Sequence, residues 1–252
     1  MSWTNKIDRA KQHLEELQKE IDTFFKLQPY KVSTKREPQT KRLIYYLTDV
    51  ISVPNKISLI SGDVIQNLRS ALDHLAYDLF VKENNGTVSA TRIYFPIGKD
   101  FQTYEKLKKT KGIPSEKLIT IDSIKPYKGG NDTLWKIHAL NIIDKHRQLM
   151  TVGSKFGAVD IGSLMIFRMR KQKNNDNIPN TPLFISPKDN LFPLKPGDEL
   201  LVDGSPNAVE DPSMRFNFEI VLNEKDIVVG QPVTTALKSM VDEVEKLIPI
   251  FK

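Results

Sequence analysis

The 252-residue chain contains no cysteine, which removes disulfides, thiolate metal sites and thiol nucleophiles from the chemistry open to it and fits a reducing compartment. Histidine is scarce: an imidazole site has only His13, His74, His138 and His146 to draw on. No apolar run approaches the roughly 20 residues that a membrane-crossing helix needs. Met1-Ser2-Trp3-Thr4-Asn5-Lys6 leads directly into a charged amphipathic segment rather than a signal peptide. The expectation is a soluble, cytoplasmic protein with no membrane partner. Internal repeats, low-complexity tracts and Pro-rich linkers are also lacking. What is present is a composition of 39% hydrophobic and 27% charged residues, enough for one sizeable core or a core with an annex.

Apolar spacing divides the chain. Ile7, Ala10, Leu14, Leu17, Ile21 and Phe24 alternate by three and four, which predicts a long amphipathic helix over 4–27. Residues 30–36 and 42–51 read as two strands joined by the turn Glu37-Pro38-Gln39. A second long helix is predicted over 54–82, with short helices at 101–109 and 114–124 and a central helix after Gly129-Gly130. From Val152 onward the runs 164–170, 183–185, 199–202 and 215–221 read as strands, 171–181 as a mobile loop, and 232–251 as a closing helix. The expected fold is α+β: a helical bundle (about 1–28, 52–150 and 232–252) interleaved with an antiparallel sheet (about 29–51 and 152–226) in a single unit.

The helix over 54–82 carries the sharpest chemistry. Ile57, Ile60, Val64, Leu68, Leu72, Leu75 and Leu79 form one buried stripe, so Asp63, Gln66, Arg69, Ser70, Asp73, His74 and Tyr77 are expected on the opposite, polar side. Arg69 with Asp73, and Ser70 with His74, are neighbours four apart. An arginine that holds a phosphate and a histidine that moves a proton are the minimum equipment for cutting RNA without a metal. The alternative is a solvated face bearing an Arg–Asp pair worth about 0–1 kcal/mol.

The central helix is apolar on nearly every side, through Leu134, Trp135, Ile137, Leu140, Ile142, Ile143 and Leu149, which predicts a buried position. Asp144 and Arg147 share the side of Ile137 and Leu140, and a buried charge must be paired. Two readings stand. In one, Asp144 and Arg147 pair internally while His138 and His146 cap or cross-link. In the other, the pair reaches Arg69 or Asp73 and fixes the site. His74, His138, Asp144, His146 and Asp73 are donors enough for a metal, but their spacing lacks a tight ligand signature, and no metal is assigned.

Arg69 and His74, four residues apart in the gap between them within a helix, resemble the Arg-x4-6-His motif of the HEPN family, whose members include metal-independent endoribonucleases of bacterial toxin and antiviral systems. The text from Gly62 to Ala76, with the block Leu134-Trp135-Lys136-Ile137-His138 through Asp144-Lys145-His146-Arg147, is similar to uncharacterised bacterial proteins. Where the family usually has Asn, Asp or His after the arginine, this chain has Ser70. The resemblance covers the helical half and implies a HEPN-like bundle without a cofactor. It implies RNA transesterification by Arg69 and His74, with Ser70 or Asp73 orienting them and His138, Asp144, His146 and Arg147 in support. Inactive relatives imply the alternative of a non-catalytic RNA, nucleotide or protein-binding module. The resemblance also implies a homodimer with facing motif helices, and an antitoxin or regulatory protein as partner.

Charge is unevenly spread. Residues 26–42 hold Lys26, Lys31, Lys35, Arg36, Lys41 and Arg42 against Glu37 alone, whereas 198–226 hold eight acidic residues against Arg215 and Lys225. The basic stretch suits nucleic-acid phosphates or, alternatively, protects strand edges in a hairpin.

Overall fold

The computed structural model describes residues 2–83, 93–109, 115–146, 152–173, 183–185, 191–205, 208–211 and 214–251. It is mixed α+β, with helices and two small antiparallel sheets. The chain divides into two compact units, one of residues 1–21, 55–151 and 222–252, the other of 22–54 and 152–221.

The first unit is helical. Helix α1 (Ser2–Lys26) buries Trp3, Ile7, Ala10, Leu17 and Ile21 at helical spacing, with Leu14 only half-buried and His13 taking the more covered position beside it. Helix α2 (Asn55–Glu83) starts directly after Pro54, which cannot sit inside a helix without losing a hydrogen bond. Short helices α3 (Phe101–Lys109) and α4 (Ser115–Ile124) follow. Asp100 caps α3, its Oδ1 accepting from the Thr103 amide at 2.6 Å.

Helix α5 (Asp132–His146) is punctuated as its sequence predicts: Gly129 adopts φ +87°, and Asn131 Oδ1 accepts from the Leu134 amide at 3.1 Å. Helix α2 packs on α5 and also on α7 (Val233–Glu245), and α5 packs on α7. A four-residue helix α8 (Ile248–Phe251) follows, so the expected single closing helix breaks after Glu245. The ion pair Lys56–Glu20 at 2.7 Å ties α2 to α1, and Lys11–Glu245 ties α1 to α7.

The second unit is built on strands. Strands β1 (Tyr30–Arg36) and β2 (Leu43–Val50) form the expected antiparallel hairpin, and β2 pairs on its other edge with β5 (Glu199–Asp203). Strand β3 (Val152–Asp160) pairs with the short β4 (Phe184–Ile185) in a separate sheet of order β4-β3-β6-β7, where β6 is Phe216–Glu224 and β7, whose residues belong to the first unit, is Val228–Pro232. The one sheet expected is therefore two. Leu47, Phe156, Val159, Leu194 and Leu200 make the core of this unit, flanked by Tyr30, Phe216 and Phe218.

One element is overturned. Residues 164–170, expected as a strand, lie inside helix α6 (Ile161–Lys173). Leu, Met, Arg, Lys and Gln dominate this stretch and are all strong helix formers. Asp160 supplies the start: its Oδ1 accepts from the Gly162 amide at 3.0 Å and from the Leu183 amide at 2.9 Å. Lys171–Lys173 of the expected loop continue this helix, and the rest of that loop lies outside the described residues. The strand β7 was not expected; it follows a turn in which Asp226 takes φ +65°.

Candidate functional site

Arg69 is not on a solvated face. It lies in α2, only 6% exposed, and its Nη2 donates to Asp73 Oδ1 at 2.6 Å and to the Phe95 carbonyl at 3.0 Å. The Phe95 amide donates back to the same Asp73 oxygen at 3.0 Å. One residue of an extended strap, Tyr94–Ile97, thus clips both members of the pair by its main chain. The expected polar side holds where Asp63, Gln66 and Tyr77 are exposed and Ser70, Asp73 and His74 half-buried, and it fails at Arg69 because α2 is covered on more than one side: Ile65, Ala71 and Ala76 are buried along with the predicted stripe.

The strap is held in place by Gly98, whose amide donates to the Pro126 carbonyl at 3.0 Å and whose carbonyl accepts from the Lys128 amide at 3.3 Å. An added Cβ at Gly98 would stand 2.5 Å from the Asp100 carbonyl oxygen and 2.6 Å from the Tyr104 amide nitrogen. Only glycine fits that approach.

A cavity of about 310 Å³ opens between α2, the strap and α5. Arg69 and Asp73 form one wall, the buried Phe95 and the exposed Tyr94 line it from the strap, and His138, Asn141, Lys145 and His146 form the opposite wall. The α5 residues share a face because their spacings of three and four return to the same side of a helix. Three of the wall residues keep a buried polar atom without a hydrogen-bond partner among the described residues: Arg69 Nη1, His138 Nδ1 and Asn141 Oδ1. Such atoms cost free energy unless something fills the site.

Electrostatics follow from burial. Desolvation pulls the Arg69 guanidinium down from its usual range and pushes the Asp73 carboxyl up, and each opposes the other's shift by mutual attraction. His138 is lowered to about 4, chiefly by burial and then by the positive charges of Arg69 and Lys145. The ring is therefore neutral at physiological pH. Lys145 and His146 are exposed at the end of α5. With Asp73 offsetting Arg69, the cavity retains a cation at its mouth.

The other expected residues are placed elsewhere. His74 is half-buried on α2, close enough to Asp73 to favour its ionised form, but it does not line the cavity, and neither does Ser70. Asp144 stands against Gly62, where an added Cβ would lie 2.5 Å from its Oδ1, and burial together with nearby Asp63 raises its carboxyl. Arg147 lies outside the described residues. On the hairpin, Lys31 pairs with Asp49 at 3.2 Å and Lys35 with Glu199 at 2.8 Å. Arg36 donates to the Ala208 and Lys41 carbonyls, while Lys41 and Arg42 are exposed at the tip.

Sequence reasoning missed Tyr94, Phe95 and Asn141. Asn141 had a signal: a buried amide in an apolar helix needs a partner. Phe95 had none, because its bonds to Arg69 and Asp73 are main-chain ones. A larger groove of about 460 Å³ lies between α1 and α7, but its lining holds as many carboxylates, Glu15 and Asp242, as lysines, Lys11 and Lys238, and none of its lining residues keeps an orphaned buried atom among the described residues.

Among the described residues no three His, Asp or Glu side chains converge as metal ligands, and no helix is long and apolar enough to cross a membrane. Comparison with family models, curated proteins and solved structures finds no match to this chain.

Proposed function

We propose that this protein is a HEPN-like, metal-independent endoribonuclease whose scissile phosphate sits in the cavity between α2 and α5. The observation that carries the reading is Arg69: a nearly buried guanidinium whose Nη1 lacks a partner among the described residues, in a cavity that Lys145 and two histidines line from the opposite side. Arginine has only donors. The complement to its free nitrogen is an acceptor, and beside Lys145 and His146 a phosphate oxygen is the fitting one. Charge building on a phosphorane is stabilised by donors already fixed in place, and the Asp73 and Phe95 contacts fix the guanidinium. Pairing of two copies through the outer side of α2, where Leu59 and Tyr77 stand exposed, belongs to the same proposal, as does control by an antitoxin or regulatory partner.

The test is incubation with single-stranded RNA in EDTA, with Lys145→Ala alongside. Cleavage leaving 2′,3′-cyclic phosphate ends is expected, reduced at least tenfold in the variant. Absence of cleavage together with absence of RNA binding would remove the proposal.

A second reading is a non-catalytic RNA or nucleotide-binding module. It is favoured by His74 standing outside the cavity and by Ser70 in place of the family's usual residue. RNA binding that weakens with salt, without any strand scission, is its signature.

A further inference from the structure

We propose that His138 on α5, and not His74 on α2, is the proton-accepting base of this site, and that Asn141 receives the attacking 2′-hydroxyl; the inference rests on the endoribonuclease reading and names the residues that perform it. Geometry carries it. Arg69, His138 and Asn141 face one another across a single cavity of about 310 Å³ from two different helices, and His74 is absent from that wall. The motif resemblance assigns the proton transfer to the helix of Arg69. The fold assigns it to the helix opposite.

The three buried atoms without a partner among the described residues define the chemistry of what the cavity would take. Arg69 Nη1 is a donor and calls for an acceptor, whereas Asn141 Oδ1 is an acceptor and calls for a donor. His138 Nδ1 can take a proton. A phosphate oxygen meets Arg69 Nη1, and a hydroxyl beside it, with one proton to give, rests on Asn141 Oδ1 in the bound state and turns to His138 Nδ1 in the reacting one; a ribose 2′-hydroxyl next to its 3′-phosphate is that arrangement. Deoxyribose lacks the hydroxyl and leaves Asn141 unmet, which discriminates against it.

The step balances within the site. The 2′-oxygen gives its proton to His138 Nδ1 and forms a bond to phosphorus. The bond from phosphorus to the 5′-oxygen breaks, and that oxygen takes a proton from solvent water at the exposed end of α5, to which His138 returns its own. The product is a 2′,3′-cyclic phosphate and a free 5′-hydroxyl, with no external reagent.

The groups facing His138 are Arg69 and Asp73 from α2, Tyr94 from the strap, and Lys145 and His146 from its own helix. Burial first, and then the two cations, keep the ring unprotonated down to about pH 4, the state a base requires. The acid limb of kcat/KM is therefore expected near pH 4, well below the usual histidine range.

The experiment uses the full chain in EDTA and a deoxy-oligonucleotide carrying one ribonucleotide, with His138→Gln, His74→Gln and Asn141→Leu checked by circular dichroism. His138→Gln should lose about 100-fold or more in kcat with KM within threefold, the range general-base removal gives. His74→Gln should stay within threefold of the parent. Asn141→Leu should raise KM for the ribose-containing strand by about tenfold and leave the affinity for the all-deoxy strand unchanged. Loss of activity on His74→Gln with retention on His138→Gln overturns the inference and leaves the endoribonuclease reading standing. A parent protein that neither cleaves nor binds the strand overturns both. Should His138→Gln fail to fold, the parent's own profile decides: an acid limb near pH 6–7 overturns the assignment, and one near 4 supports it.

Discussion

Arg69 and Asp73 contact each other inside a protein wall, and each makes the other tolerable there. Removing one member of a buried pair leaves an uncompensated charge, which costs about 3–5 kcal/mol. Asp73→Ala is expected to lose that much in denaturant unfolding, since it strands both the Arg69 guanidinium and the Phe95 amide. The double variant Arg69→Met/Asp73→Leu should lose clearly less, because no charge is left behind; equal or greater loss would mean that the pair is net stabilising. The adjacency of these two residues was legible at spacing four, but their burial was not. What covers them is a main-chain peptide 22 residues beyond Asp73, and no side-chain pattern announces a contact of that kind.

At the level of elements, the strap depends on one glycine. Gly98 sits within van der Waals contact of the main chain that starts α3, so Gly98→Ala must displace backbone rather than a flexible side chain. A loss of about 1–3 kcal/mol is expected from such overpacking, together with weaker RNA binding as Phe95 moves off Arg69. Unchanged thermal unfolding would refute the tight approach. Helix ends marked by Pro54, Gly129 and Asn131 were readable because each residue acts through its own backbone geometry or cap. Helix α6 was misread because its β-branched and aromatic residues, Ile161, Ile166 and Phe167, stand among good helix formers. The decisive capping group, Asp160, belongs to the preceding strand. Asn141 could have been marked as polar within an apolar helix, and Asp144 drew that inference instead.

Across the whole chain, the basic stretch 26–42 and the acidic stretch 198–226 touch within the strand-built unit, while Lys41 and Arg42 stay exposed at the hairpin tip. Lys35 meets Glu199, and Thr34 donates to Glu210 at 3.0 Å. Lys31, Lys35 and Arg36 already have partners at the hairpin edges, which favours the edge-protecting reading over a nucleic-acid arm. The triple variant Lys31→Ala/Lys35→Ala/Arg36→Ala is expected to keep RNA affinity within twofold at 150 mM salt, as measured by filter binding. A fall of tenfold or more would place phosphates on the hairpin. Lost ion pairs there should each cost less than about 1 kcal/mol, as exposed pairs do.

Phe95 touches the charged pair through atoms that every amino acid except proline possesses. Neither polar contact uses the buried ring itself, whereas proline at 95 deletes the amide that Asp73 accepts. The wall is thus written in the path of the chain rather than in its letters, and distant relatives could preserve it while sharing no identity at this position.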